Sequence, residues 1–210
     1  MQYRYTCLIV FWALVILIPN TCVAQPKVIY VDSYHQGYPW SDGIYRAISN
    51  EFSGMDIGLT VIHLDSKRHP GKPFIRDAAS RAYDTILSIT PDIIIASDDN
   101  ASRYLVMPHL KNSTYPVIFC GVNWDAGIYG YPFSNTTGMI EISDIKRLIG
   151  YLENFTGKKK IAYLAANVLT ARKEGHYYTI ALNRYIQNVL SHAFWNGWNR
   201  INDFRTNTIW

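Results

Sequence analysis

Cysteine is nearly missing from this sequence, and so are the common enzyme signatures. Three cysteines occur in 210 residues, and two of them, Cys7 and Cys22, lie in an apolar N-terminal stretch. Past that stretch only Cys120 remains, so no internal disulfide forms there and the core must hold the fold. Cys120 sits in the apolar run "PVIFCG" and reads as a buried small hydrophobe. There is no G-x-G-x-x-G, no Walker loop, no G-x-S-x-G elbow and no H-E-x-x-H. The usual sequence grounds for nucleotide binding, esterase chemistry and zinc proteolysis are therefore absent. Basic runs are also scarce. Lys158-Lys159-Lys160 stands alone before a strand-like segment and reads as a solvated turn, so no nucleic-acid partner is expected. Asp98, Asp99 and Glu141 lack the loop spacing that wraps a hard cation, so neither a metal nor a cofactor is expected.

What is present is apolar and alternating. Hydrophobic residues make up 49% of the chain, enough for a packed core. The net charge of +4 is unevenly spread. Residues 25–150 hold eleven Lys and Arg against thirteen Asp and Glu, whereas residues 151–210 hold eight against three. At the N-terminus, Arg4 precedes an apolar run from Cys7 to Ile18, and Cys22-Val23-Ala24 forms a small-residue site. That order is the pattern of a cleavable secretory leader, expected over residues 1–24. The run is shorter than the roughly 20 residues of a membrane span. A periplasmic location follows as the expectation.

Strand-like and helix-like segments then take turns. Strands are predicted at Lys27–Val31, Gly58–Leu64, Asp92–Ala96, Pro116–Gly121, Thr137–Ile142 and Lys159–Ala165. Helices are predicted at Ser41–Phe52 with Ser41 as N-cap, and at Pro73–Ile89, Asn100–Leu110, Ser143–Phe155 and Thr170 to about Leu190. Such repeats indicate a parallel sheet covered on both faces: an α/β, Rossmann-like lobe over residues 25–140, then an incomplete second α/β lobe over 141–190. Residues 191–210 carry three of the six tryptophans without a period of 2 or 3.6 and read as an atypical tail.

In open parallel sheets ligands bind beyond the carboxyl ends of the strands. Polar and aromatic residues collect there. Ser33, Tyr34, Tyr38 and Trp40 follow the first strand, and Ser97, Asp98, Asp99 and Asn100 follow the third. Asn123 and Trp124 follow the fourth, Glu141 the fifth, and Asn167 and Thr170 the strand of the second lobe. One short acceptor after the third strand suffices to cap the next helix, which leaves others to face a cleft. On this reading the N–H groups at the start of that helix hold an anionic group. Asp98 or Asp99 takes an amine, and Tyr34, Trp40 or Trp124 stacks on the apolar part of the ligand.

The stretches "VIYVDSYHQGYPWSDGI", "PDIIIASDDNASRYLVMP", "PVIFCGVNWDA", "YPFSNTTGMIE" and "IAYLAANVLTARKE" together resemble the ABC transporter substrate-binding proteins of the type I periplasmic binding fold, in the same order over residues 27–180. The resemblance implies two Rossmann-like lobes with a small, amino-acid-like ligand between them, an ABC permease in the inner membrane as partner, and no catalysis. Members are usually about half as long again, so the chain looks C-terminally shortened. Two other readings stay open: an extracytoplasmic sensing domain related to sensor histidine kinases, and an exported hydrolase built on Ser33 and His35.

Overall fold

The computed structural model describes residues 24–158, 161–166, 169–183, 190–195 and 205–209. The expected leader lies outside them except for Ala24. Among the described residues no helix is long and apolar enough to cross a membrane.

The first lobe is built on five parallel strands, β1 (Lys27–Asp32), β2 (Gly58–His63), β3 (Ile93–Ser97), β4 (Val117–Asn123) and β5 (Thr136–Glu141), in the order β2-β1-β3-β4-β5. The register aligns the strand ends: Asp32 lies beside both His63 and Ser97. The crossovers are α1 (Pro39–Glu51), α2 (Lys72–Ile89) and a short α3 (Asp98–Ala101) that passes into a π-helical segment, Ser102–Leu110. Because β2 lies on one side of β1 and β3 on the other, the connections leave β1 and β3 in opposite directions. That topological switch point opens a crevice at their carboxyl ends.

Burial explains the apolar runs. Ile29, Val31, Ile94, Ala96, Ile86, Leu105, Val106 and Leu110 are all fully buried. Each large apolar side chain removed from water contributes about 1.5–3 kcal/mol. Tyr30, between Ile29 and Val31 on β1, is also fully buried, and its hydroxyl is satisfied by the Ser97 hydroxyl at 3.0 Å.

Three local expectations are corrected. Helix α1 starts at Pro39 rather than Ser41, since proline suits the first helical position, where no N–H partner exists. Ser41 therefore lies inside the helix, and its hydroxyl donates to Asp32 Oδ1 at 2.8 Å instead of capping. The helix expected over Asn100–Leu110 is an α-turn followed by a π-helix. Five-residue steps between the buried pairs Ala101–Val106 and Leu105–Leu110 suit that wider turn. Beyond Leu190, where no period was visible, β7 (Leu190–Trp195) pairs parallel with β6 (Ile161–Ala166), and β8 (Arg205–Ile209) pairs antiparallel with β7. This small sheet, with α4 (Ile145–Thr156) and α5 (Leu169–Asn183), makes up the described part of the second lobe.

Candidate functional site

The chain turns from β3 straight into α3 with no connecting residue, and Asp98 makes the turn. Its φ of 73° lies in the left-handed region. Aspartate tolerates that conformation because its short acceptor can bond the nearby backbone, and here Asp98 Oδ1 accepts from Asp99 N–H. Ser33 fixes the turn against β1: its hydroxyl donates to the Ser97 carbonyl at 2.6 Å and accepts from Ala101 N–H at 2.8 Å. Ser66 adds a further tie, donating to the Ser33 carbonyl at 2.6 Å and accepting from Asn100 Nδ2 at 2.8 Å.

These bonds bear on two expectations. The N–H groups of Asp99 and Ala101, at the start of the helix, are taken by Asp98 and Ser33, so they are not free for an anion. Neither acid is bare. Asp98 Oδ2 accepts from the Tyr34 hydroxyl, and Asp98 Oδ1 from the Thr170 hydroxyl at 3.3 Å. Asp99 is fully buried, and its Oδ1 accepts from Lys173 Nζ at 2.7 Å and from the Tyr129 hydroxyl at 2.8 Å.

In front of this turn lies a cleft of about 290 Å³. The segment after β1 contributes Tyr34, Tyr38 and Trp40. Lys67 comes from the segment after β2, Asp98 from the turn after β3, Asn123 from the end of β4 and Glu141 from the end of β5. Helix α5 of the second lobe closes the far side with Thr170, Ala171 and Glu174. The Tyr34 ring meets Tyr38 edge-on at 4.9 Å and Trp40 at 5.9 Å, and Lys67 Nζ stands 4.6 Å from the centre of the Tyr34 ring. Gly121, with φ +64°, lets the Trp40 ring lie against the β4 backbone; a Cβ there would come within 2.5 Å of Trp40 Cη2.

Seven of the thirteen expected residues therefore line the cleft: Tyr34, Tyr38, Trp40, Asp98, Asn123, Glu141 and Thr170. Ser33, Ser97 and Asp99 are fully buried beneath it. Asn100 is turned onto Ser66, and Trp124 stacks on Tyr177 at 4.4 Å. Asn167 lies outside the described residues. Lys67, Lys173 and Glu174 were missed. The strand-end rule, applied to β2 as it was to β1 and β3, would have found "LDSK" and with it Lys67. Nothing in the local sequence marks Lys173 as the partner of an acid 74 residues away.

Burial is the main cause of the altered acidities here. It pushes the Asp98 carboxyl up to about 7, with Asp99 adding to the rise and the Tyr34 hydrogen bond opposing it. The Tyr34 phenol is raised too, first by burial and then by Asp98. Burial and the neighbouring Glu174 raise Glu141. The half-buried Cys120 thiol is pushed up to about 11 and so stays protonated. For Asp98 the folded state binds the proton more tightly than the unfolded chain does. Its contribution to stability is therefore present at low pH and is lost as pH rises from about 4 to about 7, by at most about 1.4 kcal/mol per pH unit. Urea unfolding of wild type and Asp98→Asn between pH 5 and 8 checks this. The stability difference between them should shift in favour of the variant as pH rises, and parallel curves would contradict the assignment.

No protein-family model matches the sequence, and no curated protein matches it in sequence. Solved structures do match in shape. One is the ABC domain from Streptococcus pneumonia in complex with L-Trp, at TM-score 0.61 and 12% identity over 80% of this chain and 56% of that one. Another is a leucine binding protein from Thermotoga maritima, at TM-score 0.59 and 10% identity over 83% of this chain and 50% of that one. A third is the ligand-free, open structure of a substrate binding protein with adhesive properties from Clostridium difficile, at TM-score 0.56 and 13% identity over 82% and 58%. The chain has the type I periplasmic binding protein fold. It spans 50–58% of the length of these structures, and at such identities the likeness concerns the fold alone.

Proposed function

We propose that this protein captures a small, amino-acid-like solute in the cleft between its two lobes, as the exported binding component of an ABC importer. The observation that carries the proposal is the composition of the cleft. Aromatic rings, carboxylates and one ammonium group converge on about 290 Å³ from the ends of all five strands and from α5 opposite. That space is close to the lower end of the roughly 300–1,000 Å³ of small-molecule sites. Its position, at the β1/β3 switch point, is where open α/β sheets bind ligands. Two of the similar structures are named for L-Trp and for leucine. Export to the periplasm rests on the leader-like N-terminus, and delivery to an inner-membrane permease rests on the resemblance of the sequence. Catalysis is not part of the proposal: the Ser33 hydroxyl, the one nucleophile considered, is fully buried and bonded at both ends.

Titration calorimetry of the full 210-residue chain with a panel of the common amino acids tests this reading. At least one should bind with a saturable heat. Trp40→Ala should weaken that binding at least about tenfold, the loss typical of a truncated aromatic anchor. A panel without any binding, or an unchanged affinity in Trp40→Ala, would contradict it.

A further inference from the structure

We infer that the ligand of this cleft carries a net positive charge, as a basic amino acid does, and that Glu141 and Glu174 receive its cationic end. The inference rests on the cleft being a solute site, as proposed above, and adds the charge class of the solute.

The charges that face the cleft do not balance. Asp98, Glu141 and Glu174 line it on the acidic side, and Lys67 is the one cation among the described lining residues. Asp99 is removed from the count, because the Lys173 ammonium neutralises it behind the wall at 2.7 Å. Asp98 is engaged by the hydroxyls of Tyr34 and Thr170 and is partly protonated near neutral pH. The two glutamates are different. Among the described residues the Glu174 carboxylate accepts one hydrogen bond, from the Ser143 hydroxyl at 3.0 Å. The Glu141 carboxylate has neither a hydrogen bond nor an ion pair among the described residues, and the negative charge of Glu174 is one cause of its raised pKa, after burial. The pair comes from β5 and α5.

Glu141 is exposed and Glu174 half-buried, so water meets part of this charge and a cationic ligand group complements it. Among the described residues no three His, Cys, Asp or Glu side chains converge to hold a metal ion, so an organic cation is the fitting partner. Lys67 comes from the segment after β2, within electrostatic reach of Asp98. Its ammonium rests over the Tyr34 and Tyr38 rings at 4.6 and 4.9 Å, where it meets an anionic group. The cleft thus presents a cation beside aromatic rings and two carboxylates elsewhere. A ligand with one carboxylate and two amines, net charge +1, complements that arrangement, its aliphatic stem lying against Tyr38 and Trp40. A neutral amino acid leaves one glutamate charge unmatched. An acidic one adds to the excess, and like charges brought together in a partly desolvated site disfavour binding.

Calorimetry of the full chain at pH 7 with L-lysine, L-ornithine, L-leucine and L-glutamate tests the inference, alongside the isosteric variants Glu141→Gln, Glu174→Gln and the double variant. L-lysine or L-ornithine should bind about ten- to a hundredfold more tightly than L-leucine, the difference a charge-assisted hydrogen bond makes. The double variant should lose most of that preference, its affinity for L-lysine falling at least about tenfold further than its affinity for L-leucine. Circular dichroism of each variant verifies the native fold. Binding of L-leucine as tight as that of L-lysine overturns the charge assignment and leaves the solute-site reading intact. A preference for L-lysine that survives in the double variant overturns the role of the two glutamates. Failure of both basic compounds while another amino acid of the panel binds also overturns the charge assignment, whereas failure of the whole panel removes the amino-acid reading and the charge assignment with it.

Discussion

Replacing Lys173 by methionine should lower the stability of the fold by about 3–5 kcal/mol, the usual cost of leaving one member of a buried ion pair alone. Lys173 is 10% exposed and Asp99 not at all. The ammonium donates to Asp99 Oδ1 at 2.7 Å and to the Asp125 carbonyl at 3.0 Å, and it stands 5.0 Å from the centre of the Tyr129 ring. Methionine has a similar length and fills the same space, so the loss is electrostatic rather than a cavity effect. The carboxylate would keep the Tyr129 hydroxyl at 2.8 Å and Asn123 Nδ2 at 3.4 Å, both neutral donors that cannot cancel its charge. A double-mutant cycle separates the pair from its surroundings. Asp99→Asn combined with Lys173→Met should cost well below the sum of the two single changes, with a coupling of about 1–3 kcal/mol. Urea unfolding of the four chains measures it. A single-variant loss under about 1 kcal/mol, or additive effects, would mean that the contact between α5 and the β3 turn carries little. The pair also bears on function, because Lys173 ties the second lobe to the acid behind the cleft floor. Loosening it should move Thr170 and Glu174, which the same helix presents to the ligand.

The alternation of strands and helices was legible because the central strands read as plain apolar runs, "VIYV", "DIIIA" and "PVIF", of which β1 is buried on both faces. The strand-end rule then located the cleft, since topology alone dictates where an open sheet binds. Residue type did not reveal direction. Ser97, Asp98, Asp99 and Asn100 look alike in sequence, yet the left-handed turn at Asp98 sends one to the cleft, one to Lys173 and one to Ser66. That outcome depends on partners 34 and 74 residues away, beyond any local pattern. The first turn of α1 was misplaced for a related reason. Ser41 is a good cap by type, but a fully buried Asp32 accepts its hydroxyl. The two strands past Leu190 lacked a legible period, since their pairing with β6 comes from tertiary contact and not from alternation.

Gly121→Ala should cost about 2–4 kcal/mol and weaken ligand binding at least about tenfold, by two separable routes. The first is backbone strain. At φ +64° an alanine sits in the left-handed region, which disfavours an L-residue by about 1–2 kcal/mol. The second is a collision. The new Cβ would meet Trp40 Cη2 at 2.5 Å and Cζ2 at 2.8 Å, closer than carbon atoms approach. Gly121 lies at the register shift of β4, between Cys120, which pairs with β3, and Val122, which pairs with β5, and the Trp40 ring takes most of the displacement. Trp40 touches Tyr34 edge-on, and the Tyr34 hydroxyl bonds Asp98, so the shift spreads along the cleft wall. Truncating the tryptophan distinguishes the two routes. In a Trp40→Ala background the collision disappears while the strain remains, and Gly121→Ala should then cost only about 1–2 kcal/mol. Urea unfolding of the four chains gives the stabilities, and calorimetry with the tightest amino acid of the panel gives the affinities. An equal cost in both backgrounds would mean that the glycine serves the backbone turn alone and that the tryptophan does not depend on it for its place in the cleft.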